Sequence, residues 1–239
     1  MGCRYNDSIV DHEFPFESRR NTELPEGEEP PARFPGRQVA AVVALIVLHA
    51  LIVLWIIAVS PEVSPFEWGG LRKGRTALEP WRLFTSLLLH ADLRHVVANG
   101  LSMLVFGVPL LEWVGRRRTG WVYLAAGLGG GIAAVTFASY GTTIIGSSGA
   151  VSGLFGAWVV LSLHRARAED LPGRARIRTA GIALLVLPSL INPSTPGGQP
   201  ISVSSHLAGA AVGMIVGAYL SRGWLRHADP FDPERRIEA

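Results

Sequence analysis

Long apolar stretches separated by short polar ones set the pattern of this chain. Residues 39–59 are apolar throughout except for His49, and about 20 such residues are what a helix needs to cross a bilayer. Further apolar stretches predict helices over residues 93–113, 120–139, 148–163, 177–191 and about 204–220. Asp92 stands ready to cap the second helix and Ser147 the fourth. The connection over residues 60–86 holds Pro61, Pro65, Gly69, Gly70, Gly74 and Pro80, which stop regular helix. It also holds Phe66, Trp68, Trp81 and Arg82, a mixture suited to the lipid–water interface. The expected fold is all-α: a polytopic membrane protein of six spanning helices over residues 39–224. A disordered cytoplasmic tail is expected over 1–38 and a charged cytoplasmic tail over 225–239.

Composition agrees with this pattern. The chain is 49% hydrophobic and only 17% charged, too apolar for an ordinary soluble domain. The net charge of +3 is modest and the basic residues gather at the ends of apolar stretches, so nucleic acid is not an expected partner. Cys3 is the one cysteine, which excludes an internal disulfide and a cysteine zinc site. Residues 1–38 have no apolar core, and no secretory signal peptide is expected there.

Loop charges orient the helices. The segments after the second, fourth and sixth stretches carry Arg116 to Arg118, Arg165 to Arg178, and Arg222 to Arg226. The connections after the third and fifth carry no Lys or Arg. Positive residues favour the cytoplasmic side, so the expectation is a multi-pass cell-membrane protein with both termini cytoplasmic.

That orientation makes the second, fourth and sixth helices start on the same side. Each has polar residues in its first turns: His95 and Asn99, Ser148, and His206. Polar groups at such depth are costly unless they serve one another. A serine hydroxyl becomes a nucleophile beside a base, and histidine is the usual base, so Ser148 and His206 form a candidate pair. No Asp or Glu lies in the outer half of the helices to orient the imidazole, which makes the pair a dyad. The Ser148 N–H, at a helix start, has no intrahelical partner and is a candidate oxyanion donor. His95 and Asn99 are four apart, so both reach one site as side-chain donors. Each such donor, when lost, costs about 10²–10³ in rate.

Other readings of these residues are weaker. Gly146-x-Ser148-Gly149 alone is a weak signal, since serines and glycines at membrane helix contacts are usually packing residues. Zinc on His90, His95 and His206 is not expected, since the first two are five apart and no acidic residue accompanies them. His90 is expected to make a structural hydrogen bond in a loop. For His49, a functional role and a neutral imidazole packed on a neighbouring helix both stand. Gly209, Gly213 and Gly217 repeat every fourth residue. This stripe is expected to press on the Ser152/Gly156 face of the fourth helix, which would bring His206 toward Ser148.

Taken together, Trp81-Arg82, His90-x4-His95-x3-Asn99, Gly146-x-Ser148-Gly149, and His206-x2-Gly209 with Gly213 resemble the rhomboid intramembrane serine proteases over about residues 39–220. The resemblance implies a six-helix bundle with Ser148 as nucleophile and His206 as base. It implies an oxyanion site from the Ser148 backbone, His95 and Asn99. Transmembrane proteins, cut in or near a membrane segment, are the substrates it implies. Trp81 and Arg82 match its structural loop signature. Ser152 departs from the family pattern, standing where many members carry an aromatic residue against the catalytic histidine. The alternative function is a catalytically silent rhomboid-like protein that binds transmembrane clients. A small transporter ranks last, because the chain shows no repeated half. No cofactor is implied, and the sequence assigns no oligomeric state.

Overall fold

A computed structural model describes residues 36–60, 62–64, 66–168, 173–192 and 201–227. Of the tails expected over 1–38 and 225–239, residues 1–35 and 228–239 lie outside the described residues, as does the loop over 193–199. The chain folds into helices: α1 (Gly36–Val59), the short α2 (Arg82–Thr85), α3 (Leu93–Ser102), α4 (Val108–Trp113), α5 (Gly115–Phe137), α6 (Ser148–Ala168), α7 (Gly173–Ile191) and α8 (Val203–His227). A π-helical segment, Met103–Gly107, joins α3 to α4 into one long rod. Pro109 explains it: a proline lacks an N–H and clashes with the carbonyl four residues back, and a widened turn relieves both.

Four helical segments are long and apolar enough to cross a membrane: Gly36–Val59, Leu93–Trp113, Gly115–Phe137 and Val203–Arg222, among the described residues. The expected fourth and fifth spans form as α6 and α7 but are less apolar. In α7 the cause is Arg174, Arg176 and Arg178 in the opening turns. In α6 it is His164, Arg165 and Arg167, which end the apolar stretch early. Helix α6 is surrounded by protein: every residue from Gly149 to Trp158 is buried. By contrast, α1 buries only Val42, His49 and Val53, and turns Val47, Leu51, Leu54 and Trp55 outward.

Helices α5, α6 and α8 form the tightly packed centre, and backbone contact at small residues holds it together. A Cβ placed on Gly209 would overlap the Gly149 carbonyl, and one on Gly213 the Gly153 carbonyl. One on Gly217 would lie 3.0 Å from the Ala157 Cα. The pairs advance together along both helices, so α6 and α8 run parallel and their first turns share one end of the bundle. The glycine stripe of α8 therefore meets Gly149, Gly153 and Ala157, with Gly156 against the Ala210 backbone, and not Ser152 as expected. Ser152 instead donates its hydroxyl to the Ser148 carbonyl at 2.8 Å.

The connection between α1 and α3 is ordered by two devices. Leu71 and Arg72 pair antiparallel with Ile144 and Thr143, which ties the connection to the segment leading into α6. The buried Arg82 side chain donates to the carbonyls of Phe66 and Gly70 and to the Glu79 carboxylate, and stacks over the rings of Phe66 and Trp81. The expected structural role of Trp81-Arg82 has this physical form.

Candidate active site

The site lies where α3, α6 and α8 begin. Asp92 caps α3 as expected, accepting from the His95 N–H at 2.8 Å. That cap fixes the helix start and with it His95 and Asn99, one turn apart on the same face.

Ser148 opens α6 after a sharp turn at Gly146, whose φ of +115° favours glycine. The Gly146 N–H donates to the Ser86 carbonyl at 2.9 Å, and the His95 ring lies close to the turn. A Cβ at residue 146 would come within 2.8 Å of His95 Cε1. Val151 is the first residue of α6 whose N–H reaches a carbonyl, that of Ser147. The Ser148 N–H thus precedes the helical ladder and sits at the positive end of the helix.

His206 is buried in the first turn of α8. Its neighbour Ser205 presses on α6: a Cβ at Gly149 would meet Ser205 Oγ at 2.6 Å, and one at Gly130 of α5 would meet the Ser205 carbonyl at 2.8 Å. The residue after Ser148 and the residue before His206 are therefore in direct contact. Among the described residues no hydrogen bond joins Ser148 to His206, and the His206 Nδ1 has no partner. The same holds for the Asn99 Nδ2. With Ser152 bonded within its own helix, no side chain braces His206 by hydrogen bond among the described residues.

His90 forms the structural hydrogen bond expected of it, 3.2 Å from its Nε2 to Ser147 Oγ. Ser147 holds the position before α6, with its hydroxyl engaged by this ring. His49 packs against His90 at a tilt, with ring centroids 4.7 Å apart, and His95 meets His90 edge-on at 5.0 Å. These three histidines do not converge on a metal site, and the described residues contain no such group of His, Cys, Asp or Glu. The contact of His49 with this cluster was not readable from the sequence. Its one signal was an imidazole in an otherwise apolar span.

Taken together, the geometry offers a hydroxyl beside unpaired helix N–H groups, two side-chain donors on α3 and an imidazole on the adjoining helix. The profile of the rhomboid domain matches residues 77–223. The chain is 30% identical over 180 residues to the putative rhomboid protease YdcA of Bacillus subtilis, covering 73% of this chain and 86% of that protein. It is 32% identical over 147 residues to mouse rhomboid-related protein 2, covering 58% of this chain and 47% of the relative. It is also 30% identical over 142 residues to rhomboid protease GluP of Bacillus subtilis, covering 59% of this chain and 26% of that one.

Proposed function

The chain belongs to the rhomboid family of multi-pass helical membrane proteins, and from that premise we propose that it is an intramembrane serine endopeptidase acting on transmembrane proteins. The observation that carries this reading is the contact of Gly149 with Ser205 and Gly209, which sets the first turns of α6 and α8 side by side. In this mechanism Ser148 Oγ attacks the scissile carbonyl while His206 takes its proton. The tetrahedral oxyanion receives hydrogen bonds from the Ser148 N–H, His95 and Asn99. His206 then gives the proton to the leaving amine, the C–N bond breaks, and an acyl group stays on Ser148. Water, activated by the same histidine, hydrolyses that ester and restores the hydroxyl.

Helix orientation belongs to this proposal. The Arg-rich ends of α6 and α8 lie away from the site, so both termini are cytoplasmic and the site faces the opposite leaflet of the cell membrane. The test is cleavage of a reconstituted transmembrane substrate. Ser148→Ala abolishes product while the protein stays folded, and unchanged cleavage overturns the reading.

A second reading has one observation in its favour: among the described residues the His206 Nδ1 has no hydrogen-bond partner. In it the protein binds transmembrane clients without cutting them. Client capture that survives Ser148→Ala and His206→Ala, with no product from the wild type, selects this reading.

A further inference from the structure

The histidine cluster extends beyond the residues proposed for catalysis, and its outermost member lies on α1, ahead of the matched residues 77–223. His49 is only 1% exposed, on a helix that otherwise buries just two valines. An apolar side chain would fill that place at lower cost, because a polar ring nitrogen taken out of water without a partner is unfavourable. Its Nε2 has no hydrogen-bond partner. Neither has the Nδ1 of His90, whose ring is tilted against that of His49 with centroids 4.7 Å apart. The two nitrogens are thus not hydrogen-bonded to each other as the rings stand, and a small ring rotation that pairs them satisfies both. The remaining nitrogen of His90 is the one at Ser147 Oγ, next to Ser148. His90 also supports the His95 ring edge-on, and His95 lies against Gly146.

We propose that His49 is a positioning residue for the turn that carries Ser148. On that rotation its Nε2–H donates to the Nδ1 of His90, which leaves the His90 proton on Nε2. From there His90 donates to Ser147 Oγ and holds residue 147 and the His95 ring in register. Both imidazoles stay neutral, and no proton leaves the cluster. The first helix, which contributes no catalytic residue, thereby sets the geometry of the nucleophile turn. For its effect on catalysis this inference rests on the protease reading above; the pairing itself does not.

The test combines ring nitrogen NMR with kinetics on the full chain in detergent micelles. His90 signals in histidine-labelled protein are assigned by their loss in His90→Asn. The expected wild-type result is His90 protonated at Nε2; protonation at Nδ1 overturns the proposal with no variant needed. His49→Phe keeps the ring volume and removes the donor. It is expected to mix the His90 tautomers and lower kcat about 10-fold, with KM for a transmembrane substrate unchanged. His49→Gln, which keeps a donor, restores most of both. A His90 tautomer unmoved by His49→Phe, or a kcat within about twofold of wild type, contradicts the proposal. A wild type that shows the tautomer shift but cleaves nothing defeats the protease reading and leaves the pairing standing.

Discussion

Gly209 faces the carbonyl of Gly149 so closely that no Cβ fits between the two helices. Ser148 and His206 flank this contact, so packing at two glycines sets the spacing of the proposed dyad. A methyl at either Gly209 or Gly213 meets backbone, which has no side-chain freedom to yield. Gly209→Ala and Gly213→Ala are each expected to cost about 1–3 kcal/mol and to lower activity further by parting α6 from α8. Gly120→Ala is the control. It lies within α5 with nothing within 4 Å of an added Cβ. Ala there is expected to leave stability unchanged or raise it by roughly 0.5–1 kcal/mol. Thermal midpoints in one detergent separate these outcomes.

Arg82 should prove a structural residue. Arg82→Ala leaves the carbonyls of Phe66 and Gly70 and the Glu79 carboxylate without their shared donor. The expected loss is on the order of 3 kcal/mol. Arg82→Lys recovers only part of it, because an ammonium lacks the planar fork that serves these acceptors at once. Thermal unfolding of the two variants beside wild type checks the order.

Glu79 gives the protein a pH-dependent component of stability. The hydrogen bond from Arg82, aided by the nearby positive charge of Arg75 and Arg82, holds its carboxyl below the ordinary value of 4.5. A folded-state value below the unfolded one means that the charged form favours folding. This stabilisation is complete above about 4.5 and is lost as pH falls from there through the lower folded-state value. Glu79→Gln is expected to be less stable at neutral pH and to show a shallower fall in thermal midpoint below pH 4.5. Parallel acid limbs for the two proteins contradict the assignment.

The oxyanion donors should affect rate more than fold. His95→Ala and Asn99→Ala are each expected to lower kcat about 10²–10³-fold. Because the Asn99 Nδ2 has no partner in the resting protein, Asn99→Ala breaks no hydrogen bond of that nitrogen. Its thermal midpoint should move little. Cleavage rates at saturating substrate, read beside thermal midpoints, distinguish this from a loss of folding.

Much of this architecture was legible in the sequence because it rests on local signals. Asp92 announces the start of α3, apolar runs announce the long helices, and the spacing of Gly209, Gly213 and Gly217 announces a close contact. The partner face of that contact was not legible. Opposite Val151, Leu154 and Trp158, helix α6 carries small residues over about half its circumference, so Ser152/Gly156 and Gly149/Gly153 look equally suited to receive a glycine stripe. Long-range pairings were also hidden. Nothing local tells Leu71 that it will pair with Ile144, or His49 that it will stack on His90. The π-helical segment before Pro109 leaves no mark in the apolar pattern, since a proline's effect on the preceding turn depends on how the rod is packed.

The central claim is that Ser148 is an activated nucleophile with His206 as its base. The most direct measurement is labelling of the detergent-solubilised protein by a fluorophosphonate, an electrophile that reacts preferentially with an activated serine. The account predicts labelling of the wild type and none of Ser148→Ala or His206→Ala, all three folded alike. Labelling that persists in either variant, or a folded wild type that stays unlabelled by a probe small enough to enter the site, would contradict it.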